Sequence, residues 1–236
     1  MARNKLAYNE HCILKHTTYV GGVVVLGFLS GILFAAPKAP VTAAESFAHP
    51  FYVGAAGGAG STTWEGLVPT KTNQNLAMNL STPTTVNEGG GVYGFFGGYE
   101  FGPYFAIEAS YMHYPSAHVY FDEVSLFSFM NDGLTAFTTK TETVNVMAKI
   151  MLIIPHTLIR AYSSAGAAEV HRNDILADHW HLNPTFGLGL NYNFTPHLMG
   201  ELAANYTAGY GEAQLNPTDV YFPFLYSGFL RLAYRL

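Results

Sequence analysis

The sequence predicts an all-β protein, an eight-stranded antiparallel up-and-down transmembrane β-barrel preceded by a signal peptide. Three observations point there. From Ala44 onward the apolar residues recur at every second position rather than every 3.6, in about eight stretches of eight to twelve residues. The connections between those stretches alternate strictly between long and three-residue ones. Only 11% of the 236 residues are charged, while 49% are apolar, with 24 Gly, 16 Tyr and 17 Phe. Soluble domains carry roughly a quarter charged residues. Outside the first forty residues no apolar run reaches the ~18 needed for a membrane helix, and the apolar content excludes disorder.

The first element is an address. Met1 to Thr18 holds Arg3, Lys5 and Lys15 against Glu10, and Val20 to Ala36 is uncharged and apolar before Pro37 and Lys38. A basic start, an apolar run and a small-residue stretch make a secretory signal peptide, here residues 1–44, with cleavage near Val41 to Ala44. An uncleaved anchor is the alternative that so long an apolar run leaves open. The single cysteine, Cys12, falls inside the leader, so the domain at 45–236 has none and must hold together without disulfides. Setting aside the four basic residues and one acid of 1–44 leaves 7 basic against 15 acidic groups, a formal charge of −8. Nucleic acid is therefore not an expected partner.

The strands follow in order as Phe51 to Trp64, Gly91 to Glu100, Tyr104 to Tyr114, Val144 to Ile154, Leu158 to Val170, Thr185 to Phe194, Leu198 to Ala208 and Asp219 to Leu236. In the fourth, Val144, Val146, Ala148, Ile150 and Leu152 oppose Asn145, Met147, Lys149 and Met151. In the last, Leu230, Leu232, Tyr234 and Leu236 oppose Phe229, Arg231, Ala233 and Arg235. The run of Ser, Gly and Ala from Ser163 to Ala168 leaves the facing of the fifth unresolved. Long connections are expected at Glu65 to Gly89, Pro115 to Thr143, His171 to Pro184 and Gly209 to Thr218, and tight ones at Phe101 to Pro103, Pro155 to Thr157 and Thr195 to His197. Long loops at one end and tight turns at the other is the plan of an outer-membrane barrel, and in lipid the sheet has to close to pair its backbone. Aromatics at strand ends, among them Tyr52, Tyr99, Phe101, Tyr104, Tyr114, Tyr192, Tyr206, Tyr221 and Phe222, suggest interfacial girdles.

At Phe96-Gly97-Gly98-Tyr99-Glu100-Phe101-Gly102-Pro103-Tyr104, followed by Ile107-Glu108 and Tyr111, the chain resembles the second hairpin of the transmembrane domain of outer membrane protein A (OmpA). The likeness continues at Ala148-Lys149, at Phe194-Thr195-Pro196 and at Ala233-Tyr234-Arg235-Leu236. In that family inward charges pair within a narrow lumen. Parity and motif position turn Glu108 and Lys149 inward, and parity alone turns Arg231 inward. Ala56, Asn191 and Glu201 stand where relatives have Lys, Glu and Arg. The expectation is a polar plug of two carboxylates, Glu108 and Glu201, against two cations, Lys149 and Arg231. The resemblance also implies that the closing face Gly228, Leu230, Leu232, Tyr234 and Leu236 is the signal read by the barrel-assembly machinery, with Leu236 in place of the usual Phe. Nothing follows the eighth strand, so no peptidoglycan-binding domain is expected.

Function reads as non-enzymatic: a monomer in outer-membrane lipid that contributes to envelope integrity and offers surface loops to an extracellular or host ligand. The lipid A deacylases of similar size use a His-x-Ser element, and Tyr114-Pro115-Ser116-Ala117-His118 has the wrong order. A small pore gated by rearrangement of the internal charges is the alternative, and a soluble lipocalin-type barrel would need the opposite facing of the last strand. No cofactor or metal is expected. His179 and His181 share a face and could join Asp178 on Zn or Cu, but loop histidines without a third fixed ligand more often meet solvent. Loop Pro115 to Thr143 is unusually apolar, at Val119 to Phe121 and Leu126 to Met130, which suits either a prolonged hairpin with packed aromatics or an interaction patch.

Overall fold

Successive side chains of a strand point to opposite faces, so a sheet that meets hydrocarbon on one side and its own interior on the other alternates apolar with mixed residues. The computed structural model describes residues 49–68, 80–155, 157–211 and 221–236, and the predicted leader at 1–44 lies outside them. Among the described residues the strands are β1 (Phe51–Thr62), β2 (Thr85–Asn87), β3 (Gly90–Gly102), β4 (Phe105–His113), β5 (Ala117–Tyr120), β6 (Ala136–Ile153), β7 (Ile159–Asn173), β8 (Asp178–Asn193), β9 (Leu198–Thr207) and β10 (Leu225–Arg235). Eight of them, β1, β3, β4, β6, β7, β8, β9 and β10, pair antiparallel in that order, and β10 returns to β1. The seam runs from Tyr52 opposite Arg235 to Thr62 opposite Leu225.

The outward positions are oily. Phe95 is 67% exposed and Leu188 65%, whereas inward Lys149 is 2% and Arg235 0%. A globular protein would reverse those numbers. Inside, Tyr52, Phe96, Met151, Tyr162, Met199 and Phe229 form a continuous core. On the outside, rings meet edge to face near the tight turns, with Phe51 4.6 Å from Tyr99 and Tyr192 5.0 Å from Phe194. The fifth predicted strand resolves as β7, with Arg160, Tyr162, Ser164, Ala168 and Val170 turned inward.

Two expectations are corrected. First, the loop predicted at 171–184 is mostly strand, since β7 continues to Asn173 and β8 begins at Asp178, while that at 115–143 is strand at Ala117–Tyr120 and from Ala136 on, the prolonged hairpin that its apolar content suited. On these added stretches polar residues stand on both faces, Thr139, Thr141, Arg172 and Asn183 buried inside and Thr138 and Lys140 exposed outside, so the oily alternation that marked the strands elsewhere is lost. The remaining turn at 174–177 is fixed by Asp174, whose Oδ1 accepts the N–H groups of Leu176 at 2.8 Å and Ala177 at 3.0 Å. β5 extends the line of β4 along the same edge of β6 after a break at Pro115, which has no N–H to donate, and β2 pairs on its far side. Second, four of the girdle aromatics point inward: Tyr52, Tyr114, Tyr221 and Phe222 are all at most 4% exposed. The last strand, predicted from Asp219, of which 219 and 220 lie outside the described residues, runs from Leu225, with Pro223 interrupting the ladder before it.

Candidate functional site in the barrel lumen

Four strands bring the expected lumen charges together at mid-height: Glu108 from β4, Lys149 from β6, Glu201 from β9 and Arg231 from β10. Lys149 Nζ donates to Glu108 Oε2 at 2.6 Å and to Glu201 Oε1 at 3.2 Å. Arg231 donates from Nη2 to Glu108 Oε1 at 2.5 Å and from Nη1 to Glu201 Oε2 at 2.7 Å. Each cation therefore touches both carboxylates, and the four make a neutral closed ring. Tyr52 Oη donates to Glu108 at 3.1 Å, Tyr162 Oη reaches Glu201 at 3.4 Å, and Lys149 Nζ sits 4.4 Å from the Tyr162 ring centre. The Arg231 guanidinium lies 3.6 Å from the centre of the Phe96 ring. Glycine makes room for the tyrosines: a Cβ at Gly189 would come within 2.7 Å of the Tyr162 ring, and one at Gly98 would collide with Tyr52.

A second layer lies nearer the tight turns. Glu100 of β3 accepts two bidentate guanidinium pairs, from Arg160 of β7 (3.1 and 2.8 Å) and from Arg235 of β10 (3.0 and 2.7 Å). Arg160 Nε donates to Asn191 Oδ1 at 3.0 Å, and Arg235 Nη2 lies 3.3 Å from Met199 Sδ. Sequence reasoning placed Arg235 on the inward face but gave no lumen role to Glu100 or Arg160. The signal it had was the parity of Glu100 with Phe96 on a strand whose other face is oily.

The loop end is closed by a third group. Trp64, 0% exposed in a 3-10 turn at Trp64–Leu67, meets Tyr221 at 5.0 Å and Phe137 at 6.0 Å, and the Arg172 guanidinium lies 4.8 Å from its ring. Arg172 is held by Asp174 at 2.6 Å and donates to the carbonyl of Tyr221 at 2.8 Å. Glu88 pins the turn, accepting from Thr62 Oγ1 at 2.7 Å and the Trp64 N–H at 2.8 Å.

The histidine group is not where the sequence put it. His179 and His181 lie on β8 rather than in a loop; His181 stacks on Tyr210 at 4.0 Å, and Asp178 bonds His171 at 2.7 Å. Among the described residues no group of three or more His, Cys, Asp or Glu side chains is arranged to hold a metal. His118 lies 2.8 Å from Thr138 Oγ1. The proposed assembly residues Gly228, Leu230, Leu232, Tyr234 and Leu236 form one outward, exposed row along β10. Beside it, a groove of about 760 Å³ opens on the outer wall over Ala59, Ala204 and Gly228, between Phe186, Tyr206 and Tyr226.

The His171 and Asn173 hydrogen bonds hold the Asp178 carboxyl below the usual aspartate range. A carboxyl depressed on folding stabilises above its unfolded pKa and loses that contribution as pH falls through its folded value. The expected result is that amide protection at the β7–β8 tip drops on acidification before that of β9 and β10 does. Hydrogen exchange measured against pH checks this, and Asp178→Asn should abolish the difference.

The family model for the outer membrane protein beta-barrel domain matches residues 26–227. Among solved structures, the N-terminal β-barrel domain of Pseudomonas aeruginosa OprF is similar at 14% identity and a TM-score of 0.44, over 80% of this chain and 98% of that one. Neisserial surface protein A is similar at 12% identity and 0.47, over 79% and 97%. The attachment invasion locus protein Ail of Yersinia pestis is similar at 15% and 0.41, over 80% and 99%. No curated protein matches.

Proposed function

Because the chain belongs to the outer membrane protein beta-barrel domain family, we propose that it is a monomeric, non-catalytic barrel of the Gram-negative outer membrane, plugged inside and presenting its loops outward. Its work is structural and adhesive: it ties lipid to a rigid closed sheet and offers the long-loop end to extracellular ligands. The signal peptide at 1–44 delivers it, and the exposed β10 row ending at Leu236 is read by the assembly machinery. The observation that carries the plug is the mid-lumen ring, in which Glu108 and Glu201 each touch both Lys149 and Arg231. Opening a conductive path would strand these buried charges, each at a cost of several kcal/mol.

Planar-bilayer recording tests the reading. Purified, refolded barrel is expected to give no conductance steps, and reproducible channels in the wild-type protein would replace the plug with a gated pore. The same preparation should shift in gel mobility only on boiling, as a closed sheet that resists detergent does.

A further inference from the structure

The tip of the hairpin between β4 and β6 is a preorganised knob. A short helix, α1 (Leu126–Met130), is capped by Ser125, whose Oγ accepts the Ser128 N–H at 3.1 Å. The buried Ser128 hydroxyl lies 2.8 Å from the Leu134 carbonyl and 3.0 Å from that of Asp122, tying both sides of the tip together. Asn131 Nδ2 donates back to the Phe127 carbonyl at 2.9 Å, and the chain reverses through positive φ at Asp132 and Gly133. Beneath, Phe127 stacks on Phe121 at 4.3 Å and meets Phe137 at 5.5 Å. All of this fixes a backbone whose other side is oily and bare: Phe129 is 87% exposed, Met130 74% and Val124 69%. A fixed, exposed apolar cluster marks a binding surface.

Charge says what it meets. Asp122, Glu123 and Asp132 surround the cluster, all exposed, and no Lys or Arg occurs between Pro115 and Thr139. We infer that this tip docks Phe129 and Met130 into an apolar cleft bordered by Lys or Arg side chains on a protein outside the cell. The inference rests on the outward-presenting role proposed above and supplies the chemistry of its partner. An anionic lipid surface would repel the acidic rim, and a second copy would bring the same three acids against themselves.

The test uses the full barrel in phosphatidylcholine nanodiscs, with two probes, Arg-Leu-Trp-Trp-Leu-Arg-amide and its Glu-flanked counterpart, and empty discs as background. The Arg-flanked peptide is expected to shift the Met130 methyl resonance and, by the fluorescence anisotropy of dye-labelled peptide in wild type and variants alike, to bind about tenfold tighter than the Glu-flanked one. Phe129→Ser with Met130→Ser should remove the binding, while Asp122→Asn, Glu123→Gln and Asp132→Asn together should remove only the preference. Both sets are solvent-facing, so heat-modifiable mobility should stay intact and show that the barrel has folded. Equal binding of the two peptides, or binding unchanged by the Ser pair, overturns the inference. So does a concentration-dependent dimer in sedimentation that the Ser pair abolishes, or relaxation of Met130 by paramagnetic lipid in phosphatidylglycerol discs. The two proposals fail differently: cells bearing the wild-type barrel that adhere to a cultured-cell monolayer no better than cells lacking it would remove the adhesive role. Adhesion equal in wild type and the Ser pair would remove only the knob.

Discussion

Replacing Glu100 with Gln is expected to lower the unfolding free energy of the barrel by about 3–5 kcal/mol, the range for breaking a buried charge cluster by deleting one partner. Glu100 is the carboxylate that both Arg160 and Arg235 engage bidentately, and all three are buried. Without it two guanidiniums face each other, and the neighbouring Asn191 oxygen and Met199 sulfur bring no countercharge. Gln keeps the shape and one acceptor, so the loss reads charge rather than volume. Urea unfolding in vesicles, followed by mobility before boiling and by tryptophan fluorescence, measures it. Adding Arg160→Met to Glu100→Gln should cost less than the two single losses summed, because the second change removes one of the stranded charges.

Lys149→Met is expected to destabilise by a similar amount, about 3–5 kcal/mol. It leaves Glu108 and Glu201 sharing Arg231 alone, and it takes a cation from between the Tyr52 and Tyr162 rings. Met nearly fills the space, so cavity formation contributes little. The informative variant is the pair Lys149→Met with Glu108→Gln, which restores neutrality and should recover at least about 1 kcal/mol of coupling in a double-mutant cycle. Recovery near zero would mean that each charge is solvated on its own.

The barrel was legible because lipid imposes a harsh rule on every strand it touches. In β10 the oily set Leu230, Leu232, Tyr234 alternates with Phe229, Arg231, Ala233 without a slip, and the tight turns sit close to where the breaks in that pattern put them. Where the rule lapses, so does the reading: Thr139, Thr141 and Arg172 turn inward, the outward Thr138 and Lys140 are polar as well, and no alternation of oily and mixed residues marks the strand. Tyr52 was misread as interfacial from its place at a strand end, though its parity with Ala56 on β1 points it inward. The lumen charges could be named from parity and motif position, but which carboxylate meets which cation depends on strand register across the ring, which no single strand encodes. Arg160 was lost for a plainer reason, since the small residues from Ser163 to Ala168 carry no facing signal.

The seam between β1 and β10 has a consequence for how the molecule comes into being. Segments from opposite ends of the domain must find each other before the sheet has no free edge, a contact of high sequence separation and therefore a slow one. Arg231 and Arg235 ride on the closing strand, while Glu108 and Glu100 wait on β4 and β3. Until that strand arrives, Glu108 and Glu201 have only Lys149 between them and Glu100 has only Arg160, and the unpaired amides of two edges would face hydrocarbon. Entry into the bilayer and sealing of the cylinder are thus expected to be a single cooperative event, with no stable half-inserted intermediate along the way.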